Sequence, residues 1–134
     1  MTDRVVLDAS AGVEIHNRTF AGVQLAKMLE LPGVQVWTVE HFHLEVAKVF
    51  RRDVIAGDLD DANATGLVGS LAAWPLHVAR VAPLLIGAWK HRHNITLHDA
   101  LYAVLARRLD ATLLTGDKKL AGVPGLNVRI RTVA

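Results

Sequence analysis

Short apolar runs rich in β-branched residues alternate with helical patterns along this chain, and that alternation constrains the fold more than any other feature. The first run, RVVL, has no polar alternation, which is typical of a strand buried on both faces. The runs predicted to form strands are residues 4–7, 34–39, 76–79, 111–115 and 126–132. Strands separated by helices indicate βαβ units, so we predict an α/β fold with a mainly parallel sheet and helices on both faces.

Apolar stripes and capping residues mark the helical segments. Residues 41–57 carry Phe42, Val46 and Phe50 on one stripe. Residues 100–106 are apolar almost all round, so the helix that contains them should be central and buried. The first of five predicted helices begins at Thr19 and stops at Pro32-Gly33, and the second covers residues 41–57. The third begins at an Asp58 N-cap. The fourth covers about residues 82–92, and the fifth runs from Thr96 to near Leu109. Arginines alternate with apolar residues in the last strand, which predicts a half-exposed edge strand.

Composition excludes several classes of protein. The chain has 134 residues, and 51% of them are hydrophobic. We therefore expect one domain over residues 1–134 that folds without disulfide cross-links. The chain has no cysteine, which excludes disulfide scaffolds and thiolate metal sites. No apolar run approaches the roughly 18 residues that span a bilayer. Residues 1–4 lead straight into a strand without a secretory signal, so we expect a cytoplasmic protein that makes no membrane contact.

Four acidic residues stand where a parallel sheet would bring them together. Asp8 and Asp117 each follow a predicted strand at its carboxyl end, and Asp99 opens the most apolar helix. Glu45 borders the apolar stripe near the start of its own helix. The crevice of an open parallel sheet lies outside the carboxyl ends of its strands, and helices that follow in right-handed crossovers begin at the same edge. We therefore expect these carboxylates to converge in one cleft.

The chemistry of such a cleft points to a divalent metal ion. Several carboxylates in one cleft cannot all ionise without a counter-charge. Oxygen ligands suit hard cations such as Mg²⁺ and Mn²⁺, and one or two of these ions can ionise a water and stabilise charge on a phosphate. Each acid also has a structural interpretation. Asp8 and Asp117 could cap the turns that follow them, Thr96-x-x-Asp99 matches a capping box, and Glu45 could extend to solvent.

At these residues the sequence resembles the PIN-domain family, and within it the VapC-type toxins of bacterial toxin–antitoxin pairs. The matching segments are VVLDAS (5–10), HLEVAKVFRR (43–52), ITLHDALYAVLARRL (95–109) and LLTGDKKL (113–120). Their order and spacing agree with the family over essentially the whole chain. The specificity of the resemblance lies in this ordered set and not in any single motif.

The resemblance implies a three-layer α/β/α sandwich around a mainly parallel sheet, and a Mg²⁺- or Mn²⁺-dependent endoribonuclease. The acids at the positions of the family's catalytic metal site are Asp8, Glu45, Asp99 and Asp117. Ser10 and Thr115 match its small polar positions beside the acids. RNA is the implied substrate and a small antitoxin protein the implied partner. A homodimer is also expected, because a mean hydropathy of +0.28 suggests a surface that another chain covers.

Basic residues near these acids are candidates for contact with RNA phosphates, since cations dominate nucleic-acid affinity. Lys118 and Lys119 directly follow Asp117. Arg51 and Arg52 lie on the same predicted helix as Glu45. For each of the four cations the alternative is an ordinary solvated surface position.

Two other functions compete with the ribonuclease interpretation. A Mg²⁺-dependent phosphohydrolase could use Asp8 as its nucleophile, but Ser10 stands where a haloacid-dehalogenase-type D-x-D motif requires an acid. The second alternative is a catalytically silent α/β module that only binds a partner protein. Such a module gains nothing from a cluster of mutually repelling acids. Metal-dependent cleavage of single-stranded RNA separates the ribonuclease from both alternatives.

Overall fold

The computed structural model describes residues 3–133 of the chain. The strands are β1 (Asp3–Leu7), β2 (Val34–Val39), β3 (His77–Ala79), β4 (Thr112–Thr115) and β5 (Arg129–Thr132). All of them pair in parallel, in the order β3-β2-β1-β4-β5. Each strand overlaps one of the predicted runs, and the predicted parallel sheet is confirmed.

The helices lie on both faces of this sheet. They are α1 (Ala9–His16), α2 (Phe20–Leu29), α3 (Phe42–Ile55), α4 (Asp61–Ala73), α5 (Leu85–Trp89) and α6 (Leu97–Arg108). The chain runs from β1 to β2 to β3 in one direction across the sheet. It then crosses back over β2 and β1 to reach β4 on the other side of β1. Right-handed crossovers therefore place α1 to α4 on one face and α5 and α6 on the other. The predicted three-layer α/β/α sandwich is confirmed, and contacts of α1 with α2 and α3, and of α5 with α6, agree with it.

The core lies between the sheet and its covering helices. Val6, Leu7 and Leu113, in the two central strands, have no exposed surface. Every residue from 100 to 106 is buried, as the apolar pattern of α6 predicts. The predicted start of this helix is also confirmed, because the hydroxyl of Thr96 accepts a hydrogen bond from the amide of Asp99 at 3.2 Å.

The structure contains one helix that is not predicted, and another helix begins at a different residue from the predicted one. The sequence pattern does not predict α1, because Gly12 weakens its helical signal. The fold needs a glycine at this position, since a Cβ there would lie 2.7 Å from the ring of Phe42. The N-cap of α4 is Asp60 and not Asp58: the carboxylate of Asp60 accepts the amide of Asn63 at 2.8 Å.

Two predicted elements are shorter in the structure. The helix expected over residues 82–92 is a 3₁₀ turn (Ala82–Leu84) followed by the five-residue α5. The last strand begins at Arg129 instead of residue 126, because Asn127 adopts a φ of 51°, outside the β region. β5 is nevertheless the edge strand that its alternating pattern predicts.

None of the helices in the described part of the chain combines the length and the apolar character needed to cross a membrane.

Candidate active site

The carboxyl edge of the sheet is where the predicted site residues meet. β1 and β4 are neighbours, and the crossover direction of the chain reverses between them. Asp8 follows β1 directly, and Asp117 lies two residues beyond β4. α3 begins just after β2, and α6 begins at this edge before it leads back to β4. The topology therefore delivers four acidic residues to the crevice where α/β sheets bind their ligands.

Asp8 is a buried carboxylate held by several donors. It is 3% exposed and is the N-cap of α1. Its Oδ1 atom accepts hydrogen bonds from the Ser10 hydroxyl at 2.7 Å and the Ala11 amide at 3.0 Å. Burial raises the pKa of Asp8, the hydrogen bonds of Thr115, Ala11 and Ser10 oppose that rise, and the charge of Asp99 adds to it. Asp8 thus caps α1 and also lies in the cleft.

A polar network joins the ends of β1 and β4. The Ser10 hydroxyl accepts the amide of Gly116 at 2.7 Å and lies 3.3 Å from the hydroxyl of Thr115. Thr115 is fully buried, and its Oγ1 accepts the amide of Asp117 at 3.0 Å. Asp117 in turn caps a 3₁₀ turn (Lys118–Gly122) through the amide of Lys119 at 2.9 Å. The two small polar residues predicted beside the acids therefore set the spacing between Asp8 and Asp117.

Asp99 is the electrostatic centre of the cluster. It lies half-buried in the first turn of α6. Burial raises the pKa of Asp99, and the negative charges of Asp117 and Glu45 raise it further, against smaller opposing effects of Thr96 and His98. Asp99 also raises the pKa of Asp8, so Asp99 is coupled to each of the other three carboxylates. The predicted convergence is therefore visible in their mutual repulsion.

Glu45 is in a different environment from the three aspartates. Its Oε1 atom accepts a hydrogen bond from the Tyr102 hydroxyl at 2.7 Å and lies 3.1 Å from Nε2 of His41. Burial raises the pKa of Glu45, but the hydrogen bonds of His41 and Tyr102, with the positive charges of His41 and His98, outweigh burial and lower it. The pKa of Glu45 is thus lowered, whereas the pKa values of Asp8 and Asp99 are raised.

Sequence reasoning did not find Tyr102 and His41. A signal for Tyr102 exists, because a lone tyrosine in a helix that is otherwise apolar all round needs a partner for its hydroxyl. The partner, Glu45, is 57 positions away, so only the tertiary structure identifies it. His41 is the residue before α3 and makes no side-chain cap, which leaves its ring free to turn toward the acid four positions on.

The donor set fits a hard divalent cation in its chemistry. It consists of carboxylate oxygens. Burial and, to a smaller extent, neighbouring negative charge raise the pKa of two of these carboxyl groups, and a cation would relieve the repulsion. Within residues 3–133, however, no three His, Asp or Glu side chains stand in an arrangement that could hold one ion between them. Ion binding therefore requires side chains of the cluster to rotate toward one another.

The predicted RNA contacts lie in two different places. Lys118 and Lys119 are exposed and follow Asp117 at the cleft. Arg51 and Arg52 are exposed near the other end of α3, about 9 Å or more along the helix axis from Glu45. Arg51 lines a groove between α3 and α4, and Arg52 contacts its neighbour Asp53. The lysines are thus brought to the acids, and the arginines are not.

A further basic segment was missed by sequence reasoning. Between Asp61 and Asp99 the sequence contains no acidic residue, and this segment leads into the first turn of α6. Its three formal cations are Arg80, Lys90 and Arg92. None of them forms an ion pair with another residue in the range 3–133. The absence of acids over so long a stretch is a signal that the sequence already contains.

Comparison with known proteins identifies the same family as the sequence motifs. The PIN domain family model matches residues 5–126. The chain is 35% identical to Ribonuclease VapC1 of Mycobacterium tuberculosis over 136 residues, covering 98% of each chain. It is 33% identical to Ribonuclease VapC12 of the same organism, covering 97% of this chain and 99% of the relative. The fold is similar to VapBC2 from Rickettsia felis bound to a DNA fragment from their promoter, with a TM-score of 0.69, 14% identity and coverage of 96% and 98%.

Proposed function

Since the chain belongs to the PIN-domain family, with VapC ribonucleases among its relatives, we propose that it is a Mg²⁺- or Mn²⁺-dependent endoribonuclease, the toxin of a toxin–antitoxin pair. Asp8, Glu45, Asp99 and Asp117 are the proposed catalytic and metal-binding residues. When bound, the ion supplies the charge that activates a water and stabilises an in-line displacement at phosphorus.

The observation that carries this proposal is the uncompensated charge at the carboxyl edge. Asp99 feels the charges of Asp117 and Glu45, and no lysine or arginine forms an ion pair with any of these acids within the described residues. Burial and neighbouring charge raise the pKa of Asp8 and Asp99, and acids perturbed in this way in a cleft are typical of a functional site. Ser10 and Thr115 support the cluster by fixing Asp8 and the backbone that leads to Asp117.

The proposed substrate and partners follow from the same assignment. RNA phosphates approach the cleft past Lys118 and Lys119, with Arg51 and Arg52 as more remote contacts. A cognate antitoxin is proposed because the similar VapBC2 structure is a complex bound to DNA from their own promoter. A homodimer in the cytoplasm remains part of the proposal, supported by large apolar side chains exposed on α5, Leu85, Ile86 and Trp89.

The phosphohydrolase alternative is less well supported. A nucleophilic Asp8 would attack with a carboxylate oxygen, yet Oδ1 is held by Ser10 and Ala11, and burial raises the pKa of the group. The alternative of a silent binding module leaves the repulsion among four carboxylates without a role. Neither alternative accounts for the relation to ribonucleases.

The test is cleavage of single-stranded RNA by the full chain, with Mg²⁺ or Mn²⁺ and with a chelator. We expect cleavage only with the metal, and a loss of more than about 100-fold in Asp99→Asn, because loss of a ligand should exceed the 10- to 100-fold effect of losing a residue that supports one. Asp110→Asn is the matched control. Asp110 is exposed, lies far from the cleft and has a φ of 50°, which asparagine tolerates.

Two outcomes would contradict the proposed function. Cleavage that is unchanged in chelator excludes the metal, and normal cleavage by Asp99→Asn shows that Asp99 serves only as part of the capping sequence with Thr96. An equal loss in Asp110→Asn would show that the assay reports general damage to the protein.

A further inference from the structure

Glu45 is the one acid of the cluster whose orientation is set by side chains from two helices. The hydroxyl of Tyr102, in α6, and Nε2 of His41, just before α3, both face the same atom of Glu45, Oε1. The other oxygen, Oε2, has no hydrogen-bond partner within residues 3–133. A free glutamate rotates broadly about its last torsion angle. Two donors on one oxygen remove that freedom and leave the second oxygen available.

Tyr102 is placed for this contact by the helix that also carries Asp99. The two residues are three positions apart, so α6 presents them on one face. Tyr102 is 1% exposed, and the bond to Glu45 at 2.7 Å is the only one that its hydroxyl makes among the described residues. A buried hydroxyl without a partner is costly, so the tyrosine depends on the glutamate as much as the glutamate on the tyrosine.

His41 completes the arrangement from the other side. Its ring lies 4.6 Å from the ring of Tyr102, and Nε2 faces two acceptors, Oε1 of Glu45 and the carbonyl oxygen of His98 at 3.3 Å. A nitrogen that faces two acceptors must carry the hydrogen. Nδ1 is buried without a partner, so the ring makes its hydrogen bonds through Nε2 alone.

We propose that Tyr102 and His41 are positioning residues that orient Glu45, so that Oε2 is directed to the divalent ion of the proposed active site. This inference rests on the proposed function, because it takes Glu45 as a metal ligand. Side chains that hold a ligating carboxylate typically change metal affinity 10- to 100-fold when they are removed. Neither residue contacts RNA or the ion in this proposal, and both act through Glu45.

The test is Mn²⁺ affinity of the full chain without RNA, measured from the paramagnetic resonance signal of free Mn²⁺. We expect Tyr102→Phe to bind Mn²⁺ about 10- to 100-fold more weakly. In a Glu45→Gln background the same substitution should have no further effect, because the group through which it acts is already changed. Thr38→Val is the matched control: it removes a buried hydroxyl, bonded to the carbonyl oxygen of Leu7 at 2.8 Å, that contacts no carboxylate.

His41 offers a second variant should Tyr102→Phe fold poorly. His41→Gln keeps an N–H donor near the position of Nε2, whereas His41→Phe keeps the ring and loses the donor. We expect the phenylalanine variant to weaken Mn²⁺ binding and the glutamine variant to restore part of it. A purely structural histidine would favour the aromatic replacement.

The outcomes separate this inference from the proposed function. If Glu45→Gln weakens Mn²⁺ binding but Tyr102→Phe does not, the positioning role is wrong and the metal site stands. If Tyr102→Phe weakens binding equally with and without Glu45, the tyrosine acts through the fold and the inference is also wrong. If Glu45→Gln leaves Mn²⁺ affinity unchanged, the proposed metal site is wrong and the positioning role fails with it.

Discussion

The two ends of the parallel sheet both carry charged residues but arrange them differently. At the amino end, acids and bases surround a groove of about 700 Å³, and Arg129 pairs with Asp110 at 2.9 Å and also bonds its carbonyl oxygen at 2.6 Å. At the carboxyl end, four carboxylates converge, and among residues 3–133 only His41 faces one of them as an ion-pair partner. The groove thus lies at the end where Arg129 and Asp110 form an ion pair, and the candidate acids lie at the other end.

The two ends thus differ in whether their charged side chains are paired. An exposed ion pair such as Arg129–Asp110 contributes little to the free energy of unfolding, and its two charges compensate each other without a ligand. Burial, with a further contribution from neighbouring carboxylates, raises the pKa of Asp8 and of Asp99, and a bound cation would relieve the repulsion among these groups. The amino end thus provides matched control positions for every experiment on the carboxyl end.

The largest difference between the two ends should be seen in metal-linked stability. At Mn²⁺ concentrations 100-fold above the dissociation constant, we expect the free energy of unfolding to rise by about 2.7 kcal/mol. Asp8→Asn should lose most of this gain, and Asp110→Asn should retain it. The measurement is thermal unfolding across a Mn²⁺ series. Equal gains in both variants would mean that the ion binds outside the carboxyl edge.

Variants at the two ends should also differ in RNA affinity, but by less than they differ in metal-linked stability. Replacing Lys118 and Lys119 together by alanine should weaken RNA binding about tenfold and flatten its salt dependence by about 1.4 units, because each phosphate contact on a single strand contributes about 0.7. The positions of cleavage should stay the same, since phosphate contacts carry no sequence information. Arg4 and Arg131, exposed at the amino-end groove, provide a control of equal charge change. An equal salt slope in both double variants would place the lysines on ordinary solvated surface.

The pH dependence of the metal-free protein should be smaller again. Burial raises the pKa of Asp8 above 3.8, so the folded chain binds that proton more tightly than the unfolded chain does. Stability in chelator should therefore fall as pH rises through the interval above 3.8. Asp8→Asn keeps a capping side chain, removes this dependence and should stabilise the metal-free fold at neutral pH by about 1 kcal/mol. Denaturant unfolding across pH measures it, and a destabilised variant would show that capping by the charged form outweighs repulsion.

The smallest effect is expected at the amino end itself. Arg129→Ala should lower the free energy of unfolding by less than about 1 kcal/mol, because its ion pair with Asp110 is exposed. Salt should reduce the difference further, and RNA cleavage should be unchanged. Urea unfolding at low and high salt, with the cleavage assay, checks this. A large loss of cleavage would contradict the view that the amino end has no part in the chemistry.

The fold was largely predictable because its signals are local. A buried strand such as β1 and an apolar helix such as α6 reveal themselves in runs of a few residues, and Thr96 marks the start of α6 by its own side chain. One prediction failed because a distant contact decides the local structure. Gly12 interrupts the helical pattern of α1 because the ring of Phe42, 30 positions further on, packs against it.

The sequence by itself determined the family, the order of strands and helices, and the set of acids, because periodicity and short motifs are properties of neighbouring residues. Only the tertiary structure decided which of these acids are buried and which partner holds each of them. Tyr102 reaches Glu45 across 57 positions, and Ser10 reaches the end of β4 across more than 100. The ionisation of a carboxylate depends on its burial and on charges a few ångströms away, and the chain brings those groups together only when it folds.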